Sequence, residues 1–254
     1  MCPNSRANIC AHCPECKPHC VVIFITKDKV TSPCSQIPTW TYDKKRDPEM
    51  HKNYYYVPVY NLHVYKATDY KNPATYSGEE TFQCLRFFAG NKGRTALTVF
   101  GVQNDPTDSN PPKTWHLAHI ITYTTNSEKP RQVKLAVKIH NDFLIHEGPS
   151  GCWDHKWAAN GCVEIVGPWE LDRFFHILAE YSEAKSSLNQ LTINPLQATL
   201  PIWVKYEDTP RPSIGDGITQ LTKEEFDYYT TEFKSNFSNL LSMDKIQYFP
   251  SGLY

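Results

Sequence analysis

Short segments rich in β-branched and aromatic residues recur along most of the chain, and Pro, Gly, Asn and Asp separate them. Runs of this kind, bounded by turn-forming residues, are typical of β-strands. The segments predicted as strands are Val21–Thr26, Tyr54–Lys66, Phe82–Ala89, Thr95–Gln103, Trp115–Thr124, Val133–Lys138, Phe143–His146 and Cys162–Val166. Their rhythm predicts a β-rich α+β fold in which a mixed sheet forms a sandwich or a small barrel.

Two helices are expected to interrupt this pattern. Pro168 opens the first after Gly167, and its apolar stripe consists of Leu171, Phe174, Phe175, Leu178 and Tyr181. Thr222 and Glu225 form a capping box for the second, whose apolar face carries Phe226, Tyr229, Phe233, Phe237 and Leu240. We expect both stripes to pack against the sheet, which makes the helices flanking elements.

Composition excludes some classes of protein. A chain of 254 residues that is 40% hydrophobic can bury a large core. A net charge of −1 and a pI near 6.8 provide no basic field, which disfavours a general nucleic-acid binder. No apolar run is long enough for a membrane-spanning helix, and the polar residues 1–20 lack the apolar core of a secretory signal. Synthesis in the cytoplasm without Sec-type export is expected.

The strongest functional signal is a histidine followed, after a loop of turn formers, by a Gly-Cys pair. His146 ends one predicted strand and Cys162 begins the next. A cysteine becomes a strong nucleophile when a nearby base or cation favours its thiolate. Gly161 lets a substrate carbonyl approach the sulfur while backbone N–H groups face the developing oxyanion. We predict Cys162 as the nucleophile, His146 as the general base, and Gly161 with Asn160 as the oxyanion site.

The stretch 140–180, with this histidine and Gly-Cys pair, resembles the L,D-transpeptidase (YkuD-like) catalytic domain. The signature of that family is a histidine-glycine pair, a variable loop, and Ser-(His)-Gly-Cys followed by an aliphatic residue and usually arginine. The resemblance implies the fold of that domain, and cysteine-dependent acyl transfer on peptidoglycan stem peptides with no catalytic cofactor. It also implies action in the periplasm or cell wall. Without a signal peptide, delivery as a type VI secretion effector with an immunity partner fits that location.

The chain departs from the family pattern near the nucleophile. Glu147 stands between His146 and Gly148, and Ala159-Asn160 occupies the Ser-His place. Glu164 stands where the family carries its substrate-binding arginine, and a carboxylate there would repel a substrate carboxylate. The cations that could replace that arginine are Arg86, Lys92, Arg94, Lys156 and Arg173.

The loop from Glu147 to Asn160 holds an unusual number of large and reactive side chains. The predicted substrate-binding residues are Gly148, Trp153, His155, Trp157 and, outside the loop, Arg94. Packing of the loop onto the domain accounts for its tryptophans equally well. Cys152 offers a further alternative, a disulfide with Cys162 in an oxidised resting form.

Cysteines are concentrated at the start of the chain, which we interpret as a stapled segment 1–36 before a catalytic domain 37–254. A structural zinc site would use Cys10, Cys13, Cys16 and Cys20. Disulfides among these residues and the flanking Cys2 and Cys34 are an equal alternative. The spacing also matches an iron–sulfur cluster run, although the set for a second cluster is absent.

Two other functions compete with the peptidoglycan enzyme. One is a non-catalytic interaction protein, stapled by metal or disulfides, in which the Gly161-Cys162 pair is inert. The other is a cysteine protease that acts on proteins. The ionisation of Cys162 distinguishes an enzyme from the inert interaction protein, and the choice of substrate distinguishes the peptidoglycan enzyme from the protease.

Overall fold

The structure is a computed structural model that describes residues 20–31, 34–42, 52–87, 115–124, 133–140, 143–154, 162–181, 201–207 and 212–231. Its strands are β1 (Cys20–Lys29), β2 (Gln36–Tyr42), β3 (Lys52–Ala67), β4 (Tyr76–Leu85), β5 (Trp115–Thr124), β6 (Val133–His140), β7 (Phe143–Glu147), β8 (Val163–Val166), β9 (Ile202–Tyr206), β10 (Ser213–Ile214) and β11 (Gly217–Leu221). Its helices are α1 (Glu170–Tyr181) and α2 (223–231), with a 3-10 turn at Pro73–Thr75.

Eight of the strands form a closed barrel. They pair in the order β1-β9-β5-β6-β7-β8-β4-β3, and β3 pairs with β1 to complete the ring. The pairs β1–β9 and β7–β8 are parallel, and the other pairs around the ring are antiparallel. The sheet is therefore mixed, as the sequence predicted, and it closes into a barrel.

The barrel interior is the main hydrophobic core. Side chains alternate across each strand, so that Ile23 and Ile25 of β1 face inward together with Val163 and Ile165 of β8. Helix α1 joins the same cluster through Phe174 and Leu178, which are 0% and 1% exposed. The apolar stripe predicted for this helix is confirmed as a packing surface.

Strand β3 is long enough to serve two sheets. Its second half belongs to the barrel, while residues before Val59 pair with β2 on one side and with β11 on the other. A second apolar cluster lies where this small sheet meets the outer side of β4 and β8, and it includes Ile37, Val57, Leu85 and Val166. Helix α2 packs against the small sheet, since Phe226 lies 4.5 Å from the ring of Tyr54.

The capping box predicted for α2 is present with both of its hydrogen bonds. The backbone N–H of Thr222 donates to the carboxylate of Glu225 (2.8 Å), and the N–H of Glu225 donates to Oγ1 of Thr222 (3.2 Å). Residues Phe233, Phe237 and Leu240 lie outside the described part. Helix α1 begins at Glu170 rather than at Pro168, because Gly167 (φ 122) and Trp169 (φ 64) have left-handed backbone conformations.

Several strands differ from the sequence prediction. The sequence analysis proposed no strand at β2, β9, β10 or β11, and it began β4 at Phe82 instead of Tyr76. β2 contains Pro38, which is tolerated because β2 pairs with β3 alone and is an edge strand. β1 begins at Cys20, so residues 20–29 of the segment predicted as 1–36 are part of the barrel. Residues 1–19 and the predicted strand Thr95–Gln103 lie outside the described residues.

Trp169 combines a left-handed backbone with a 73% exposed side chain. We expect Trp169→Gly to raise the free energy of unfolding by about 0.5–1 kcal/mol, because glycine adopts this φ without a steric cost. Urea unfolding measures the change. Trp169→Ala is the matched control and should bring no gain, since alanine keeps the strained φ. Equal destabilisation by both variants would show that the indole ring makes a contact that stabilises the fold.

Candidate active site

The parallel pair β7–β8 brings the two predicted reactive residues together. The register aligns Ile145 with Val163 and His146 with Glu164. Continued by one residue, it places Cys162 beside Leu144, and the Cys162 thiol does form a hydrogen bond with the Leu144 backbone. Cys162 and His146 are therefore diagonal neighbours on adjacent strands, with Cα atoms about 8 Å apart from strand spacing and rise.

His146 is held in one orientation. Its Nδ1 lies 2.7 Å from the backbone oxygen of Glu147, so Nδ1–H is the donor and Nε2 keeps its lone pair. The ring of Tyr123 from β5 packs 5.9 Å from the imidazole, centroid to centroid. Both His146 and Cys162 are partly exposed. His146 therefore has a defined tautomer whose Nε2 can accept a proton, two residues along the paired strands from Cys162.

Burial keeps both groups neutral. It lowers the pKa of His146, an effect that the hydrogen bond to Glu147 and the charge of its carboxylate oppose. Burial also raises the pKa of Cys162, while the Leu144 backbone lowers that pKa and the charge of Glu164 raises it. The sequence analysis expected a thiol whose thiolate is favoured. The structure instead shows a neutral thiol beside a neutral imidazole, since desolvation penalises both charged forms.

Glu164 is buried directly beside this pair. The side chain is 4% exposed, and its Oε2 atom has no hydrogen-bond partner among the described residues. Burial, followed by the charge of Asp154, raises the pKa of Glu164 to about 8. A carboxyl group at the position of the family's arginine is therefore mostly protonated at neutral pH, and it repels a substrate carboxylate less than its formal charge suggests.

Two of the cations that could replace the missing arginine lie within the described residues, and both bind other groups. Arg86 is 1% exposed, and its guanidinium donates to the backbone oxygens of Thr26 and of Glu207 (2.7 Å). Arg173 pairs with Glu80 (2.7 Å) and with Glu170 (3.0 Å). The other candidates lie outside the described residues: Lys92, Arg94 and Lys156.

The described part of the loop after β7 packs on the second apolar cluster. Gly148 is buried and donates its N–H to the Ile165 oxygen (2.9 Å), which continues the β7–β8 pairing. A Cβ at Gly148 would lie 2.6 Å from that oxygen, so this position admits no side chain. Trp153 packs against the second cluster and covers Gly151. These placements fit packing roles for Gly148 and Trp153.

A disulfide fastens this loop to the small sheet. It joins Cys152 to Cys34, whose Cα atoms are 5.4 Å apart. The alternative pairing of Cys152 with Cys162 is therefore wrong in this structure, because Cys34 holds Cys152 and Cys162 is a free thiol. The nucleophile candidate remains reduced next to a crosslinked loop.

Most of the remaining predicted site residues lie outside the residues that the structure describes. They are Asn160 and Gly161 of the oxyanion site, His155 and Trp157 of the loop, and Cys10, Cys13 and Cys16 of the metal site. Cys20 is a buried free thiol at the start of β1. Within the described ranges no cluster of His, Cys, Asp or Glu side chains could hold a metal ion. In the same ranges, no helix has the length and apolar character required to cross a membrane.

Sequence reasoning missed two residues that adjoin His146. Tyr123 packs on its ring, and Lys134 of β6 forms an ion pair with the carboxylate of Glu147. Both lie in predicted strands, but only the order β5-β6-β7 within the barrel brings them beside the imidazole. No local motif could have revealed this.

Comparisons with protein-family models, with curated proteins and with solved structures found no match.

The buried Glu164 carboxyl makes stability depend on pH. Its pKa in the fold, about 8, lies above the ordinary 4.5, so the folded state retains a proton that the unfolded state releases in this window. Stability should therefore fall as the pH rises from 4.5 to 8 and stay low above it. We expect Glu164→Gln to flatten this fall and to be more stable than wild type above pH 8, as measured by urea unfolding. The exposed Glu224→Gln is the control, and a similar fall in Glu164→Gln would contradict the assignment.

Proposed function

We propose that the protein is a cysteine-dependent acyl-transfer enzyme of the L,D-transpeptidase type, which acts on peptidoglycan stem peptides. The observation that carries the proposal is that His146 on β7 and Cys162, just before β8, are diagonal neighbours on adjacent strands, with Nδ1 of His146 held by the Glu147 carbonyl. A nucleophile, a base and a group that orients the base are the parts that nucleophilic catalysis requires.

The neutral resting pair points to general-base activation. Nε2 of His146 takes the thiol proton as the sulfur of Cys162 attacks the carbonyl carbon of the stem peptide. The tetrahedral intermediate then breaks its C–N bond, and the imidazolium returns the proton to the leaving amine. A thioester to Cys162 remains, and an acceptor amine or water cleaves it to give transpeptidation, amino-acid exchange or carboxypeptidase activity.

The oxyanion of the intermediate needs backbone donors beside the sulfur. We assign this role to the N–H groups of Cys162, Gly161 and Asn160, on the basis of the sequence motif. Substrate class likewise rests on the resemblance of residues 140–180 to the L,D-transpeptidase domain. The buried Glu164 is mostly protonated, so it does not present a full negative charge to a substrate carboxylate.

The raised pKa of Cys162 favours one alternative, a non-catalytic interaction protein stapled by the Cys34–Cys152 disulfide. A buried structural thiol has the same direction of shift. Turnover of substrate distinguishes the two functions, because the inert protein would leave every substrate unchanged.

Mass spectrometry of tetrapeptide-stem muropeptides tests the proposal. Wild type should remove or exchange the terminal amino acid, Cys162→Ala should do neither, and His146→Gln should be slower by about 10²–10⁴-fold. Cys84→Ala, which removes a free thiol from the barrel core, is the matched control and should keep activity if folded. A mass change that Cys162→Ala also produces would remove the thiol from the mechanism. Cleavage of casein alone would indicate a cysteine protease.

The pH dependence of kcat/KM tests general-base activation. The rate should rise with pH as His146 loses its proton, and the midpoint should lie below 6.5 because burial lowers the pKa of this imidazole. Activity should then stay level across neutral pH, since the raised pKa of Cys162 keeps the thiol protonated. A profile that falls as His146 deprotonates would instead indicate a thiolate–imidazolium pair.

A further inference from the structure

The imidazole of His146 lies where the pairing between β6 and β7 stops. The two strands share the residue pairs His140↔Phe143, Lys138↔Leu144 and Val137↔Ile145, with an irregularity between the first two. Within the described residues of these strands, the ladder does not continue to His146 and Glu147. Among the described residues, backbone hydrogen bonds hold this end of β7 from the β8 side, where the N–H of Gly148 donates to the Ile165 oxygen (2.9 Å).

An ion pair bridges the two strands beyond this point. The ammonium group of Lys134, on β6, contacts the carboxylate of Glu147, the last residue of β7. The Lys134 side chain is 18% exposed, so this pair is better shielded from water than the surface pair Lys223–Asp227, whose side chains are 60% and 52% exposed. The same Glu147 supplies the backbone oxygen that accepts the Nδ1–H of His146.

We propose that Lys134 is a positioning residue for the base His146 and acts through Glu147. Pairing with β8 restrains the Glu147 peptide from one side, and Lys134 restrains the Glu147 side chain from the β6 side. Lys134 thereby supports the carbonyl that selects the Nδ1–H tautomer and leaves Nε2 able to accept a proton. The inference depends on the proposed function only in so far as it treats His146 as a catalytic base. The effect of Lys134 on the imidazole can be measured without any substrate.

Lys134 also balances charge around the ring. Tyr123 from β5 packs on the His146 ring, Glu147 is its chain neighbour, and Glu164 lies at the aligned position of β8. Lys134 from β6 contacts the Glu147 carboxylate. The Glu147 carboxylate favours the imidazolium and so raises the pKa of His146 against the effect of burial. Lys134 neutralises part of that carboxylate's charge. Without Lys134 the imidazole would hold its proton to higher pH, so a smaller fraction of His146 would be neutral at a pH near its midpoint.

Nuclear magnetic resonance of isotope-labelled histidine tests the inference in the full chain. The His146 signal is identified by its loss in His146→Gln, and it reports both the tautomer and the midpoint of titration. We expect Lys134→Met to move the midpoint upward by about half a pH unit and to mix the two tautomers. Glu147→Gln should move the midpoint downward, and the double variant should fall between the single ones.

Two controls separate positioning from a general loss of stability. Lys134→Arg keeps the cation and should restore the wild-type tautomer and midpoint. Lys223→Met breaks an ion pair of the same chemistry on α2 and should leave His146 unchanged. An unchanged tautomer and midpoint in folded Lys134→Met would overturn the inference. Failure of all variants to alter muropeptides would overturn the proposed function alone, because the resonance measurement does not depend on turnover.

Discussion

The parallel pairing of β7 and β8 is the constraint on which the candidate site depends. Two parallel neighbours need a crossover connection, and the described start of this connection, residues 148–154, packs on the second apolar cluster. The start of β8 thereby comes to lie beside the middle of β7. Cys162 lies diagonally across from His146 because the register of this strand pair is fixed from both sides, by β6 next to β7 and by β4 next to β8.

Burial sets the chemistry of the site more than any single charge does. It lowers the pKa of His146 and raises that of Cys162, and it raises the pKa of Glu164 to about 8. All three groups are thus favoured in their uncharged forms at neutral pH. A neutral thiol becomes a nucleophile only when its proton is transferred, and it is less readily oxidised than a thiolate.

Local patterns in the sequence predicted much of the fold. The features that depend on pairings between distant parts of the chain could not be predicted. β5 has the predicted bounds, and the capping box at Thr222 forms both of its hydrogen bonds. The candidate site was predicted as far as His146 and Cys162 at strand ends. Lys134 could not be found, because its contact depends on the order of strands in the ring. Cys34 was predicted to pair with other N-terminal cysteines, which is wrong, because its partner Cys152 lies 118 positions away in the sequence. The short strand β9 was also missed, although Pro201 precedes it and Asp208 and Pro210 follow it.

The place of β9 in the ring has a consequence for biosynthesis. β9 lies between β1 and β5, although it follows both by a long stretch of sequence. As the ribosome releases the chain from its N-terminus, β1 can pair with β3 early, but its other edge stays open until Ile202–Tyr206 emerges. An open edge of apolar strands invites pairing with another chain. The nascent protein therefore passes most of its translation as an unfinished ring, a state in which chaperones would protect it.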